Sequence, residues 1–194
     1  MAIAELRGDY VERLRLTRER IAREPEALAD TMHMNNLVDA ELAAGDMRAA
    51  ATTGRMLVAR LASGRDEYQL TIARLNLCAA LLALDTVAEA RPVAEAGWPQ
   101  AKRFELQKEW ADYLSLLAAL EQRAAAAARL CGYAIAAYEM FEGRRDVNEA
   151  AAFDRARRLA VSALGDSEFE RLQDEGRSLR DEDIAAIAFG TRDA

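Results

Sequence analysis

One histidine, two cysteines and three prolines in 194 residues remove several kinds of chemistry at once. His33 alone cannot build a His-rich zinc site, and a di-iron bundle needs two Glu-x-x-His motifs. His33 could serve one catalytic triad, but no serine or cysteine sits on a recognisable strand–turn–helix elbow. It reads as a groove or packing residue. Cys78 and Cys131 lie 53 residues apart without paired spacing, so they read as small apolar residues in helices of a reducing cytoplasm. Neither a G-x-x-x-x-G-K-[ST] phosphate loop nor a G-x-G-x-x-G fingerprint occurs. No apolar run approaches 18 residues, and the start Met1-Ala2-Ile3-Ala4-Glu5 lacks the basic and apolar regions of a secretory signal. Lysine is nearly missing, with only Lys102 and Lys108, and the net charge of −7 argues against nucleic acid, whose phosphates demand a basic face. Residues 164–194 carry nine acids against four arginines. That is either a solvated acidic end or a face that selects a basic partner.

What is present is helix-forming. Alanine supplies 43 residues and leucine 24, against 13 for valine and isoleucine together. An apolar fraction of 52% with 30% charge excludes a disordered chain, and the length suits one ordinary domain or a short repeat array. Apolar periodicity predicts helices from about Glu5 to Arg23, from Pro25 to Gly45, from Asp46 to Leu61 and from Asp66 to Leu84. Thr86-Val-Ala-Glu89 is a capping-box pattern opening a helix that Pro92 should kink and Gly97-Trp98-Pro99 should close. Helices over about Ala101–Leu120 and Ala124–Phe141 follow. Asp146-Val-Asn-Glu149 opens another to Leu164, and two short ones end at Gly176 and Phe189. The fold class is all-α.

The turns recur. Gly8-Asp9, Gly45-Asp46, Asp85-Thr86 and Gln122-Arg123 fall 37, 40 and 37 residues apart. Leu37-Val38, Leu77-Cys78 and Leu114-Ser115 sit eight residues before three of them, and Ala50, Ala90 and Ala127 sit five after. This pattern resembles the tetratricopeptide repeat, in which helix A, a Gly-Asp type turn and a helix B with a small early residue stack in series. Met34 and Arg74 stand where that repeat usually starts on an aromatic. The resemblance implies a right-handed α–α superhelix, a solenoid of hairpins over residues 1–147 with a truncated first repeat. A C-terminal helical cap in the same domain would cover residues 148–194, with Phe169, Leu172, Ile184, Ile187 and Phe189 as its apolar side.

The last third adds a second likeness. Tyr113-Leu-Ser-Leu-Leu-Ala-Ala-Leu, then Arg129-Leu-Cys-Gly-Tyr133, Asn148-Glu149, Ala163-Leu-Gly165 and Glu175-Gly-Arg-Ser-Leu179 occur in order. This resembles the C-terminal, tetratricopeptide-like region of large bacterial transcriptional regulators and predicted ATPases, LuxR-type and cyclase-linked ones included. Such proteins carry their nucleotide and DNA chemistry in other domains, so the resemblance implies a non-catalytic interaction or effector-sensing region of a cytoplasmic signal-transduction regulator, without cofactor or metal.

In that register the concave groove presents Asn35 and Asp39, then Leu75 and Ala79, then Asp112 and Leu116, with Asn36, Asn76 and Tyr113 at a neighbouring position. The expected partner-binding residues are Asn35, Asn36, Asp39, Asn76, Asp112 and Tyr113, holding a protein or peptide segment. An asparagine there offers a peptide backbone both donor and acceptor; equally, Asn36 and Asn76 can bond across to a neighbouring helix. The row lacks the basic residues that a C-terminal-carboxylate clamp requires. Trp98 is expected in a loop, as an interface anchor or folded back on its own hairpin. The uncovered side of the first helix implies either a chain excised from a longer protein or a homodimer through that helix, a self-associating scaffold. A small-molecule-binding helical protein is the remaining alternative.

Overall fold

The structure, a computed structural model, describes residues 9–23, 30–140 and 143–190. Among these residues there are ten α-helices and no strand, in two compact units, Met1–Leu84 and Asp85–Ala194. The expected helices from Glu5 and Pro25 run through Asp9 and Asp30, but both are non-helical residues that accept from the next turn's N–H groups, so the helices begin at Tyr10 and Thr31; the Gly8 turn and the helix end at Phe141 lie outside the described residues.

The first unit holds α1 (Tyr10–Arg23), α2 (Thr31–Ala43), α3 (Met47–Leu61) and α4 (Glu67–Ala83). Aspartates start all four: Asp9, Asp30, Asp46 and Asp66 accept from the backbone N–H groups of Glu12, Met32, Ala49 and Gln69 at 3.0, 2.8, 3.3 and 3.0 Å. Helix α1 packs on α2, α2 on α3, α3 on α4, and α2 also on α4. Their apolar faces meet in a core of Leu14, Met34, Leu37, Ala40, Leu57, Leu61 and Ala73.

The second unit holds α5 (Val87–Ala101), α6 (Gln107–Leu120), α7 (Ala124–Met140), α8 (Val147–Leu164), α9 (Asp166–Gly176) and α10 (Asp181–Phe189). Here α6 packs on α7, α7 on α8, and α6 on α8, the same contact pattern that links α2, α3 and α4. The turns within the two triplets are also alike. Asp46 N–H bonds back to the Glu41 carbonyl at 2.8 Å and Gly45 N–H to Leu42 at 3.0 Å; Arg123 and Gln122 do the same to Ala118 and Ala119 at 2.9 and 3.0 Å. Both are Schellman ends with one left-handed residue, Gly45 at φ 84° and Gln122 at φ 62°. Asp85, at φ 58°, takes the same conformation in the turn between them in sequence. Ala50, Ala90 and Ala127 are all fully buried, as close helix crossings require.

Arginine replaces the Gly-Asp type aspartate at position 123 for a tertiary reason. Arg123 is buried, and its guanidinium donates to the Ile187 carbonyl at 2.7 Å and to the Ala188 carbonyl. Arg91 donates to the Phe189 carbonyl, and Glu121 accepts from both arginines at 2.7 to 2.9 Å. Two cations thus satisfy the orphan carbonyls at the end of α10. Phe169, Leu172 and Ile184 are buried, whereas Ile187 and Phe189 are only half-covered.

The structure corrects the expected loop at Gly97-Trp98-Pro99: α5 runs through Pro92 and Pro99 to Ala101. Trp98 is buried and meets Tyr133 edge-on, with ring centroids 6.4 Å apart. A buried indole removes about 200 Å² from water and contributes about 5 kcal/mol, which exceeds the roughly 3 kcal/mol an interior proline costs. Gly97 is part of this packing, because a Cβ there would stand 2.3 Å from the Trp110 ring. Local helix-stop chemistry loses to tertiary burial.

A third Schellman end, absent from the expected register, closes α5. Leu106 N–H bonds to the Ala101 carbonyl at 2.9 Å, and the exposed Glu105 carries φ 57°. An L side chain in that region costs about 1–2 kcal/mol, partly offset by the smaller entropy loss relative to glycine. Glu105→Gly should therefore stabilise the second unit by about 0.5–1 kcal/mol in urea titrations followed by tryptophan fluorescence. A loss of stability would refute the assignment of strain to this residue.

Candidate functional site

In the first unit, the sequence-selected residues sit on and beside the α2–α4 seam. Asn35 is buried, and its Nδ2 donates to the Gln69 side-chain oxygen at 2.8 Å and backbone oxygen at 3.2 Å. Asn76 Nδ2 donates to the Asn35 carbonyl at 3.2 Å. These two asparagines bond one helix to the next, so Asn76 takes the cross-helix role left open above, and Asn35 is not displayed to a ligand. Asp39 is half-buried and pairs with Arg13 of α1. Asn36 is exposed, with Met32 one turn before it on α2 and Tyr68 on α4 also exposed. Exposed near the Asn35–Gln69 bonds are thus Asn36 and Tyr68, each next in sequence to one of that pair, and Met32, one turn before Asn36.

In the second unit, Asp112 and Tyr113 of α6 are buried as well. Arg145, in the loop before α8, donates through Nε to both Asp112 carboxylate oxygens at 3.0 and 3.1 Å. Its guanidinium lies between two rings, 4.3 Å from the Tyr138 centroid and 4.0 Å from that of Phe153. Tyr113 OH donates to Glu149 Oε1 at 2.9 Å, which diverts Glu149 from the capping box expected of it; Asp146 makes no side-chain cap bond. Burial pushes the Asp112 carboxyl up to about 8, with Glu149 adding to the rise and Arg145 and Tyr138 opposing it. Desolvation prevails because the carboxylate has no access to water. The arrangement joins α6, α7 and α8 through one buried Asp112–Arg145 contact.

A second polar cluster lies at the start of α6. Asp181 accepts from Tyr133 OH at 2.7 Å and from Gln107 Nε2 at 3.3 Å, beside a cavity of about 110 Å³. No spacing rule points to Arg145, Tyr133 or Gln107, since each meets its partner across at least 33 residues of sequence. Cys78 and Cys131 are buried in helices, and burial pushes both thiols up to about 12, which leaves them poor nucleophiles.

Among the described residues, no group of three or more His, Cys, Asp or Glu is placed to hold a metal ion. Among those same residues, no helix is long and apolar enough to cross a membrane. No family model, no curated protein and no solved structure matches the chain.

Proposed function

We propose that this chain is a non-catalytic interaction module, a stretch of tetratricopeptide-like solenoid ending in a helical cap, of the kind found in bacterial signal-transduction and transcriptional regulators. The observation that carries the reading is the repeated triplet: α2, α3 and α4 share both their contact pattern and their Schellman turn with α6, α7 and α8. Such arrays display one helix of each hairpin to a partner. Here the displayed surface is Met32 and Asn36 of α2 with Tyr68 of α4, a small apolar patch with one adaptable amide. The buried Asn35, Asp112 and Tyr113 support that surface from beneath or hold their own unit together.

The test is affinity capture from the source cells with the parent chain, with Met32→Glu/Tyr68→Glu, and with Leu159→Glu in the second unit as a surface control. A partner kept by the parent and the control, and lost by about tenfold or more from the double variant, is the expected result. Equal capture by all three would overturn the assignment of the face.

One observation favours self-association as a second reading. Val11 of α1 is exposed, beside an open cleft of about 500 Å³ lined by Val11, Leu14, Arg15, Arg18, Glu19 and Ala22. Light scattering that gives twice the monomer mass, reduced to one by Val11→Glu, would establish it; a monomeric parent would remove it.

A further inference from the structure

We infer that α10 is a ligand carried in cis: the groove of α5, α6 and α7 is a binding site for the C-terminal end of a short amphipathic helix from a partner protein, and α10 occupies it as an autoinhibitory segment. Helix α10 packs on α5, α6 and α7 and, among the described residues, on neither α8 nor α9. Its tie to α9 is the short connection over residues 177–180. It is nine residues long, and only Ile184 and Ala188, one turn apart on one face, are buried. A helix of that length is marginal in water, so docking is what keeps it formed.

The groove holds α10 by its main chain. Arg123, only 7% exposed, donates to the carbonyls of Ile187 and Ala188, and Arg91 donates to that of Phe189. These are three of the last four carbonyls of the helix, which have no partner within it. Such bonds read the end of a helix and not its side chains, so another sequence that stops at the same place satisfies them equally. The receiving side is arranged without α10. Glu121 accepts from Arg91 Nη1 at 2.8 Å and from Arg123 Nε and Nη2 at 2.9 and 2.7 Å, and Glu95 accepts from Arg91 Nε at 2.9 Å. Those carboxylates keep both guanidinium groups aimed when α10 leaves, which lowers the cost of taking another helix.

At the other end, Asp181 in the first turn of α10 accepts from Tyr133 OH of α7 at 2.7 Å and from Gln107 Nε2 of α6 at 3.3 Å. The fit therefore specifies the occupant. It is a helix with an acidic residue in its first turn, an aliphatic residue three places on, a small one four places after that, and an end one residue later. In α10 these are Asp181, Ile184, Ala188 and Phe189. The site shares no residue with the Met32, Asn36 and Tyr68 surface and stands without it.

The test uses the full chain. Hydrogen exchange should show the α10 amides opening about tenfold or more as often as those of α6 and α7, as a segment that leaves by itself requires. Equal protection would overturn the proposal. Ile184→Asp should unseat α10 while α6 and α7 keep their protection. A fluorescently labelled peptide of residues 178–194 should then bind this variant about tenfold or more tightly than it binds the parent, where the tethered α10 competes at an effective concentration on the order of millimolar. Adding Arg91→Gln should weaken the peptide by about tenfold, because hydrogen bonds from a charged donor are the stronger kind. No gain over the parent, a gain that Arg91→Gln leaves intact, or loss of α6 and α7 protection in Ile184→Asp would each make α10 an integral part of the unit and sink the idea. A parent dimer in light scattering that Ile184→Asp turns into a monomer would replace the foreign helix with exchange of α10 between copies. Failure of the Met32 and Tyr68 surface changes none of these readouts.

Discussion

Gly132→Ala should unfold the second unit at a cost of about 3 kcal/mol or more, as should Gly176→Ala. These glycines face each other's helices where α7 crosses α9. A Cβ on Gly132 would stand 1.9 Å from the Gln173 carbonyl oxygen, and one on Gly176 would stand 1.9 Å from that of Arg129. The obstacle in both cases is backbone, so no rotamer change relieves it. The helices must separate, and Phe169 and Leu172, both 2% exposed, would lose part of their burial. Alanine's better helix propensity returns only about 1 kcal/mol. Because either substitution opens the same crossing, the double variant should cost well below the sum of the two. Trp98 and Trp110 both lie in this unit and are buried, so tryptophan fluorescence in urea reports the change directly. A shift for Gly132→Ala of under about 0.5 kcal/mol, the size of an ordinary surface effect, would sink the crossing geometry.

The second large effect concerns Asp112 and Arg145. The Asp112 carboxyl is raised by burial to about 8, while an unfolded aspartate titrates near about 4. Between those two values the folded chain keeps a proton that the unfolded chain has released. Stability should therefore be fully present below about pH 4, fall by on the order of 1 kcal/mol per pH unit at its steepest, and level off above about pH 8. Glu12 and Glu168, held below the usual carboxylate range by bonds to Arg15 and Arg171, act in the opposite sense and only at lower pH. The two windows are thus separable. Asp112→Asn keeps the shape of the side chain and should flatten the profile between pH 5 and pH 8. Arg145→Met removes the group that opposes the rise of the Asp112 carboxyl, so its stability should go on falling above about pH 8, where the parent levels off, with no such divergence at pH 5. Urea unfolding of the parent and both variants across that range is the measurement. A parent profile that is flat from pH 5 to 8, or one unchanged by Asp112→Asn, would refute the role given to this pair.

Much of the secondary structure is legible along the chain because its signals are local. Asp46 and Asp66 start helices by accepting from backbone groups three residues on, and Gly45 ends one by taking a positive φ, whereas the helix expected from Pro25 begins only after the Asp30 cap. The 40- and 37-residue spacing of turns at 45, 85 and 122 likewise reflects a conformation each turn adopts by itself. The candidate site is less legible. Helical spacing places Asn35, Asp39, Asp112 and Tyr113 on particular faces, but it does not say which face meets another helix. Asn35 and Asp112 prove to be covered, by Gln69 of α4 and by Arg145 before α8.

What the chain determines by itself is therefore the helical class, most helix boundaries and the recurrence of its turns. Tertiary structure decides the rest. It keeps Gly97-Trp98-Pro99 helical because burying an indole outweighs local stop signals, and it places Arg123 where α10 needs its carbonyls satisfied. It also brings Gly132 against Gly176 and Asp112 against Arg145, pairs 44 and 33 residues apart. The reason is range: capping and turn chemistry act within a few residues, whereas steric closeness and desolvation depend on which surfaces the packed helices finally bring together.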